Sequence, residues 1–491
     1  MAAVGLGLAA ADASAGSTTL SPDGAWSYFT EPRAVNHEGA HRRTYVGWID
    51  SRGQIVVSSY DHRTRVRTRA VLRTGERVDD HNNPAVTVRP DGRLLVFYST
   101  DRRRRLVYRL SRRPEDVTAW GRPRRVRTNV RGPHGYTYPN PVWLEDERRP
   151  LFLFWRGASF EPTFSTSVDG GSWSRARRLV TGKGQRPYLV FDSNGRDRVD
   201  IAFSDGNPSE LRTSIYYMAY RGRRLERADG ARIARLRKAP VAPSAADVVY
   251  AGGGSRPPAW AYDVGVGRDG RPVVLYATFP SATDHRYHYA RWNGSRWVSR
   301  RITPSGPTIE RTGRDPYYAG GLVLDSRDPS VVYLSRAVAG VYQIERWVTG
   351  DGGASWRSTP VTSGQAGSYR PVSVQGPSFG RRYDLFWMSG RYTGWLDFGT
   401  SIRARLRRPA RAVPDASFHA RRRARPRAFA FEGERARARV WRFGDGSGPA
   451  RGRRVTHAYD RSGRYRVVST ALGPRRAGVR RDVFVRELRA R

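Results

Sequence analysis

The chain has 491 residues, and because a single hydrophobic core stops growing at roughly 250–300 residues, we expect one large unit and one smaller unit. Its 88 basic and 44 acidic residues leave a formal net charge of +44, which attracts nucleic acid, acidic polysaccharide or anionic membrane. A compositional bias toward arginine explains the excess equally well, so charge alone names no partner. The absence of cysteine excludes disulfides, thiolate metal sites and cysteine nucleophiles.

The N-terminal segment has the pattern of an export signal. An apolar run, Ala2 to Ala11, precedes Ala13-Ser14-Ala15, which has the small-x-small form of a signal-peptidase site, although a basic n-region is missing. We interpret residues 1–15 as a truncated signal segment and expect a secreted, extracellular protein; a disordered Ala/Gly-rich tail is the alternative. Since no other apolar run approaches the roughly 20 residues that span a bilayer, we expect no transmembrane segment.

The large unit, residues 16–406, alternates short runs of Val, Tyr, Phe, Leu and Trp with tight turns. Asp91-Gly92, Asn194-Gly195 and Asp269-Gly270 each separate two such runs, which is the pattern of β-hairpins. No sustained apolar period of 3.6 residues is present, so helices between the strands are not expected. The pattern predicts antiparallel β-structure throughout.

Two turns have the pattern of an Asp box, in which a Ser or Thr and an Asp close a turn and a Trp covers it. Thr349 to Trp356 has the complete spacing, and Ser167 to Trp173 is one residue shorter. Such boxes are structural markers of four-stranded propeller blades. At roughly 50 residues per blade, this region predicts a seven-bladed β-propeller.

Composition changes after the propeller region. Residues 407–427 are rich in Arg, Ala and Pro, which predicts a linker and a domain edge. In residues 428–491, Trp441 to Ser447, His457-Ala458-Tyr459 and Gly463 to Val467 occur in the order and spacing of PKD domains. This resemblance implies a small Ig-like β-sandwich with these aromatics in its core. Its dense positive charge suggests docking on a polyanion or a surface.

The segment from Val78 to Ala85 concentrates chemically useful side chains. Asp79, Asp80, His81, Asn82 and Asn83 precede a predicted strand, and loops at one end of a propeller usually form its site. A carboxylate beside an imidazole fixes the ring tautomer and suits a general acid or base near neutral pH. Turn chemistry without catalysis is the alternative for this cluster.

Six landmarks in the first half of the chain resemble those of BNR-4-type proteins, a family that includes ulvan lyases. They are Glu31-Pro32-Arg33-Ala34-Val35 after Trp26, Tyr45-Val46-Gly47-Trp48, Asp79 to Pro84, Tyr138 to Val142, Trp155-Arg156-Gly157 and Arg186-Pro187-Tyr188. The resemblance covers about Trp26 to Arg403. It implies a lyase that cleaves a sulfated, uronate-containing polysaccharide by β-elimination.

The resemblance also implies roles for individual residues. Arg156 or Arg186 would neutralise the uronate carboxylate, and His81 with Tyr138 or Tyr188 would act as base and acid. Arginine charge beside these tyrosines would favour phenolate. Further candidates for substrate binding are Asn82, Asn83, Asp101, His134, Tyr317 and Arg370; structural packing within a blade is the alternative for Tyr317 and Arg370.

One position departs from the family pattern. Active members carry a second His after the strand that follows the Asp-Gly turn, where this chain has Thr100 and Asp101. The arginines that follow should lower the pKa of Asp101 and weaken it as a base. His134, in a neighbouring loop, is a candidate for the missing imidazole; a solvated loop histidine is the alternative.

Two other functions remain open on the sequence. A sialidase-like hydrolase would need a Glu partner, for which Glu210 and Glu310 are candidates; a glycan-binding propeller without turnover would explain the missing His. No helix-turn-helix, RRM or KH pattern supports specific nucleic-acid recognition. We expect a monomer and no cofactor in the chemistry, and we leave a structural calcium or zinc ion open.

Overall fold

The computed structural model describes residues 16–100, 104–128, 132, 134–182, 185–380, 383–405, 414–434, 436, 438–473 and 479–491. The signal-like segment and Asp101 therefore lie outside the described residues. Within the described residues the regular structure is β, with 3-10 turns at Asp80–Asn82 (η1), Leu236–Lys238 (η2) and Pro243–Ala245 (η3). No helix in this part of the chain is long and apolar enough to cross a membrane.

The strands of the large unit follow one another in short groups along the chain. The first groups are β1 (Ser17–Ser21); β2 (Ala34–Glu38), β3 (Arg42–Ile49), β4 (Ile55–Asp61) and β5 (Val66–Arg73); β6 (Ala85–Val88), β7 (Leu94–Thr100), β8 (Arg105–Leu110) and β9 (Arg124–Arg125); β10 (Thr137–Trp143), β11 (Leu151–Arg156), β12 (Pro162–Ser167) and β13 (Arg177–Arg178). The next groups are β14 (Tyr188–Ser193), β15 (Arg198–Ser204), β16 (Ile215–Arg221), β17 (Arg224–Glu226), β18 (Arg232–Arg235) and β19 (Asp247–Tyr250); β20 (Ala259–Val266), β21 (Pro272–Ser281), β22 (Asp284–Trp292) and β23 (Trp297–Gly306). The last groups are β24 (Leu322–Asp325), β25 (Asp328–Val338), β26 (Val341–Val348) and β27 (Arg357–Pro360); β28 (Ser368–Ser373), β29 (Leu385–Gly394) and β30 (Asp397–Arg405).

Within each group, neighbouring strands pair antiparallel and mostly in chain order. Two strands depart from this order: β19 pairs with β16, and β1 pairs with β30 and completes the sheet that ends the large unit. First strands of successive sheets lie side by side, as in β2 with β6 and β20 with β24. A parallel bridge between Val35 and Gln375 joins the first group to the last. This arrangement of small sheets is consistent with a β-propeller.

The two turns with the Asp-box pattern are closed by their own side chains. The hydroxyl of Thr349 donates to the Asp351 carboxylate at 2.8 Å and accepts from the amide of Gly353 at 2.8 Å. In the shorter turn the Ser167 hydroxyl accepts from the amide of Gly170 at 2.8 Å. The ring of Trp173 then packs edge-on against Phe97 and Tyr108 of the preceding sheet. These turns therefore help to hold neighbouring sheets together.

The C-terminal unit packs two small sheets against each other. Its strands are β31 (Phe418–Arg422), β32 (Ala428–Gly433), β33 (Ala438–Arg442), β34 (Ala450–Arg451), β35 (Arg454–Ala458), β36 (Gly463–Leu472) and β37 (Arg481–Ala490). The ring of Phe418 contacts Trp441 and Phe484 across the core, at centroid distances of 5.2 and 5.5 Å. Since β31 lies inside the predicted linker, the packed core begins earlier in the chain than the boundary at residue 428.

One sheet runs from the large unit into the C-terminal unit. The strand β37 pairs in parallel with β5, which departs from the predicted antiparallel pairing because β37 comes from a distant part of the chain. Arg67 and Arg69 project from β5 onto the buried carboxylate of Asp482, at 2.8 and 2.6 Å. Arg69 also pairs with Asp415 at 2.5 Å. The junction is therefore held by main-chain hydrogen bonds and by a buried ion-pair network.

An acidic cavity of about 550 Å³ lies among the first strands of several sheets, β14, β20, β24 and β28, and is lined in part by Asp192, Asp263 and Asp325. Burial raises the pKa of Asp192 to about 7, and the charge of Asp200 adds to the rise. Burial also raises the pKa of Asp263 well above its usual value. Asp192 and Asp263 therefore bind protons more tightly in the folded chain than in the unfolded chain.

We predict that Asp192→Asn flattens the pH dependence of stability. Because the folded pKa of Asp192 exceeds the unfolded value of about 3.9, its stabilising effect is complete below that value and is lost as the pH rises through about 7. The unfolding free energy of the unmodified chain should fall by about 2 to 4 kcal/mol from pH 4 to 8 through this group. Chemical denaturation at both pH values measures the change; Asp229→Asn, at an exposed turn, should behave like the unmodified chain.

Candidate active site

The short turn η1 fixes the orientation of His81. Asp79 precedes the turn in an extended conformation, and its carboxylate accepts from the His81 amide at 3.1 Å. The same carboxylate oxygen lies 2.6 Å from Nδ1 of the His81 ring. We therefore assign the ring proton to Nδ1, which leaves the lone pair on Nε2. The histidine is only 7% exposed, so its ring has little freedom to turn.

A buried hydrogen-bond network holds Asp80, the first residue of this turn. The Asp80 carboxylate accepts from Arg370 Nη1 at 2.6 Å and from the Tyr392 hydroxyl at 2.8 Å. Arg370, which is 1% exposed, also donates to the main-chain carbonyl of Trp26 and to the Tyr392 hydroxyl. Burial disfavours the guanidinium charge of Arg370, but the surrounding tyrosines and Asp80 raise its pKa well above the usual value. Arg370 therefore remains a cation that anchors Asp80.

Tyr138 lies directly beside His81, with ring centroids 5.4 Å apart. It occupies the left-handed region at φ 59°, at a register shift between β10 and β11. The side chain of Asn140 holds this bulge by donating to the carbonyls of Tyr138 and Phe29, each at 2.9 Å. Because a bulge re-aims the side chains beside it, this strained residue brings its ring against the histidine.

Arg156 joins Tyr138 to Tyr188. Its guanidinium carbon lies 4.5 Å from the Tyr138 ring centroid and 5.3 Å from that of Tyr188. Arg156 Nη1 donates to the Tyr188 hydroxyl at 3.1 Å, and Nε donates to the Thr137 hydroxyl at 2.8 Å. Burial disfavours the charge of Arg156, but the two tyrosines raise its pKa above the usual value. The site therefore holds a fixed cation between two phenols.

Phe160 extends the cluster toward two further predicted residues. The guanidinium carbons of Arg156 and Arg186 lie 5.0 and 4.9 Å from its ring centroid. The exposed ring of His134 stacks on Phe160 at 3.7 Å. Arg186 is less buried than Arg156 and pairs with Glu210. The structure thus places Arg186 and His134 at the rim of the cluster.

Two aromatic residues of this cluster, Tyr318 and Trp395, are not among the predicted site residues. Trp395 packs edge-on against His81, with ring centroids 6.2 Å apart, and its ring is tilted against that of Tyr318 at 5.6 Å. Its carbonyl accepts from the Asp80 amide at 2.9 Å. Burial raises the pKa of Tyr318 well above its usual value, so its hydroxyl stays protonated. Both residues lie in loops far along the chain, before β24 and between β29 and β30, and only the tertiary fold brings them to His81.

The remaining predicted binding residues lie in other environments. Asn83 has a structural contact, because its carboxamide oxygen accepts from the amide and hydroxyl of Ser27 at 3.0 and 2.9 Å. Asn82 is buried and donates to the carbonyl of Arg77 at 3.2 Å. Tyr317 stacks on Phe279 at 5.0 Å, outside the cluster, and lines a cleft of about 880 Å³. Glu210 lines the same cleft, so the cleft adjoins Arg186.

The carboxylates around His81 also resemble the donor set of a metal site. Ligand atoms of Asp79, Asp80 and His81 lie within 4.8 Å of one another in the described part of the chain. However, Asp79 contacts the His81 ring at the nitrogen that carries its proton, and Asp80 is paired with Arg370. These contacts hold the His81 imidazole in one orientation. We therefore interpret these carboxylates as groups that orient His81 and anchor the turn, rather than as a set of metal ligands.

Comparison with known proteins places these features in a family. A search of curated protein sequences found no match. An ulvan lyase of polysaccharide lyase family PL25, solved with -[GlcA(1-4)Rha3S]- bound, is similar in fold with a TM-score of 0.59 at 14% identity over 80% of this chain and 96% of that one. A second ulvan lyase structure gives 0.58 at 14% identity over 79% and 95%.

A sialidase, Hz136, is also similar, with 12% identity over 72% of this chain and 73% of that one, but its TM-score is only 0.37. The family model BNR_4, described as a BNR repeat-containing family member, matches residues 43–305. This match covers more than half of the chain and includes His81, Tyr138, Arg156, Arg186 and Tyr188. The chain therefore belongs to the BNR_4 family of BNR repeat-containing proteins.

Proposed function

We propose that the chain is a polysaccharide lyase that cleaves an acidic, uronate-containing polysaccharide by β-elimination. One observation carries the proposal. An oriented His81 lies beside Tyr138, and Arg156 lies over Tyr138 while donating to Tyr188. These are the groups that elimination next to a carboxylate requires: a base, an acid and a cation.

The reaction assigns one task to each group. Arg156 neutralises the uronate carboxylate, which makes the neighbouring C5 proton acidic enough to be removed. His81 Nε2 takes this proton, the C4=C5 double bond forms, and the bond from C4 to the glycosidic oxygen breaks. Tyr138 or Tyr188 donates a proton to the departing oxygen. His134, at the rim on Phe160, is positioned to bind the chain beside the reacting sugar.

The surroundings of the site suit a charged polymer. Arg186 and the cleft beside Tyr317 extend from Phe160 and offer a guanidinium and an aromatic ring to further sugars. The net charge of +44 favours a polyanion. The ulvan lyase of similar fold was solved with a fragment that contains glucuronate and sulfated rhamnose. We therefore propose a sulfated, ulvan-like uronate polysaccharide as the substrate.

The architecture that we propose around this site is a secreted, monomeric, seven-bladed propeller followed by a PKD-type sandwich. The seven groups of strands from β2 to β30, with β1 closing the last group, support the blade number. Support for the PKD assignment comes from Trp441, Phe443 and Tyr459, which are buried in the sandwich core. Export rests on the signal-like segment alone.

The test is incubation of the full chain with ulvan and with other uronate polysaccharides. The expected result is a rise in the ultraviolet absorbance of unsaturated uronate as new reducing ends appear. New reducing ends without this absorbance would show hydrolysis and contradict the proposal. Binding without either signal would show a glycan-binding protein, the function that the missing second histidine favours.

We further expect Arg156→Lys to lower kcat/KM by about 10- to 100-fold, because lysine lacks the planar fork that contacts a carboxylate and Tyr188 together. The loss should be larger in kcat than in KM, since the charge that Arg156 stabilises develops during proton removal. Initial rates of absorbance change measure both constants. Arg175→Lys, at an exposed position between β12 and β13, is the matched control and should leave kcat and KM unchanged.

A further inference from the structure

A second cleft, of about 850 Å³, lies at the junction between the large unit and the C-terminal unit. Strands β5, β7 and β8 form one wall, and strands β36 and β37 form the other. The side chains that matter for its chemistry are Arg73, Tyr98, Arg109, Arg464, Glu487 and Arg489. The cleft shares no lining residue with the cluster around His81.

The cleft is strongly positive. Two of its arginines have acidic partners, Arg73 with Glu76 at 2.7 Å and Arg464 with Glu487 at 3.6 Å. Among the described residues, no carboxylate lies within ion-pair distance of Arg109 or Arg489. These two arginines therefore leave an excess of positive charge in the cleft that an anionic ligand would neutralise.

Arg109 is held in a fixed orientation. Its Nε donates to the carbonyl of Gly121 at 3.0 Å, and its Nη1 donates to the carbonyl of Leu72 at 2.7 Å. Burial lowers the pKa of Arg109; Tyr98 and Glu487 oppose this, but with the charges of Arg112 and Arg464 the pKa stays below its usual value. The guanidinium is thus positioned in advance, in surroundings that would gain from an added negative charge.

Tyr98 provides an independent sign of a ligand. Its side chain is 0% exposed, and in the described part of the chain its hydroxyl has no hydrogen-bond partner. A buried hydroxyl without a partner is costly, so native proteins rarely leave one unless a water or ligand completes the site. Because Tyr98 lines the cleft, the hydroxyl has a place where such a partner can bind.

We infer that this junction cleft binds a tetrahedral oxyanion, sulfate or phosphate, with Arg109 and Arg489 as cations and the Tyr98 hydroxyl as a donor. The anion is either a free inorganic ion or a sulfate ester on a polysaccharide chain. The bound anion contacts strands of both units, so the C-terminal unit takes part in anion recognition. The inference does not depend on lyase activity at His81.

Isothermal titration of the full chain with sodium sulfate, with sodium phosphate and with a sulfated disaccharide, at constant ionic strength in chloride, tests the inference. We expect saturable one-site binding. Tyr98→Phe should weaken it at least threefold and Arg489→Gln at least fivefold. Arg481→Gln, an exposed change on the same strand β37 outside the cleft, is the control and should leave the affinity unchanged.

The three ligands separate the two sources of the anion. Tighter binding of the sulfated disaccharide than of inorganic sulfate would identify a polysaccharide ester as the ligand, and equal or weaker binding would identify the free ion. Absence of saturable binding by any ligand would overturn the inference. Equal affinities in the unmodified chain, Tyr98→Phe and Arg489→Gln would also overturn it, because binding would then lie elsewhere.

Discussion

Replacement of His81 by alanine should lower kcat for elimination by about 100- to 10,000-fold, the range expected when a positioned acid or base is removed. The ring is held by Asp79 and packs beside Tyr138, and the substitution removes the lone pair that takes the C5 proton in the proposed reaction. Substrate affinity should change much less than kcat, since Arg156 and Arg186 remain. Initial rates with the same polysaccharide measure the loss.

Two further variants make this prediction specific. Asp79→Asn keeps the shape of the turn but removes the carboxylate beside Nδ1, so we expect an intermediate loss and a changed pH profile. His419→Ala, at an exposed histidine of the C-terminal unit, should have full activity. Unchanged elimination in His81→Ala would show that another residue is the base.

Replacement of Asp482 by alanine should destabilise the junction of the two units by about 3 to 5 kcal/mol, because it leaves two buried guanidinium groups without their shared partner. Arg67 and Arg69 both contact this carboxylate, which is 0% exposed. It also accepts from the amide of Ala416 at 2.6 Å. The midpoint of chemical denaturation should fall accordingly, whereas Asp460→Ala, at an exposed site, should leave the midpoint unchanged.

The same network predicts a loss of stability in acid. Burial disfavours the charge of Asp482, but Arg67 and Arg69 outweigh burial and lower its pKa below the usual value. A lowered folded pKa gives stability that is present above the unfolded value of about 3.9 and is lost as the pH falls toward the folded pKa. Acid denaturation should therefore begin at higher pH in Asp482→Ala. Equal acid midpoints would contradict the assigned role.

Much of the fold was predictable because its signals are local. Asp-Gly and Asn-Gly turns mark hairpins within a few residues, and the strands beside Gly92, Gly195 and Gly270 lie where the pattern placed them. The parallel pairing of β5 with β37 was not predictable. It joins segments that are more than 400 residues apart, and nothing in either segment specifies the other.

The site was predictable in part. The family resemblance named His81, Tyr138, Arg156 and Tyr188, and the structure brings these four together. Tyr318, rather than the predicted Tyr317, lies in the cluster. The sequence could not separate the two, because both lie in the loop before β24, where no strand alternation indicates which side chain faces the site.

For Arg370 the sequence left substrate contact and structural packing open. Burial and three side-chain or main-chain partners favour the structural role, as an anchor for Asp80. Phe160 and Trp395 carry no recognisable motif, since aromatic residues recur throughout the strands. Their role at the site becomes visible only from their distances to Arg156 and His81.

The most direct test of the central claim is mass analysis of the oligosaccharides released from an ulvan-like polysaccharide by the unmodified chain, with His81→Ala in parallel. Elimination predicts products that are each lighter by one water than the products of hydrolysis, with an unsaturated uronate at the new non-reducing end, and almost none from His81→Ala. Saturated products of full mass, or equal release by His81→Ala, would contradict the proposed lyase chemistry.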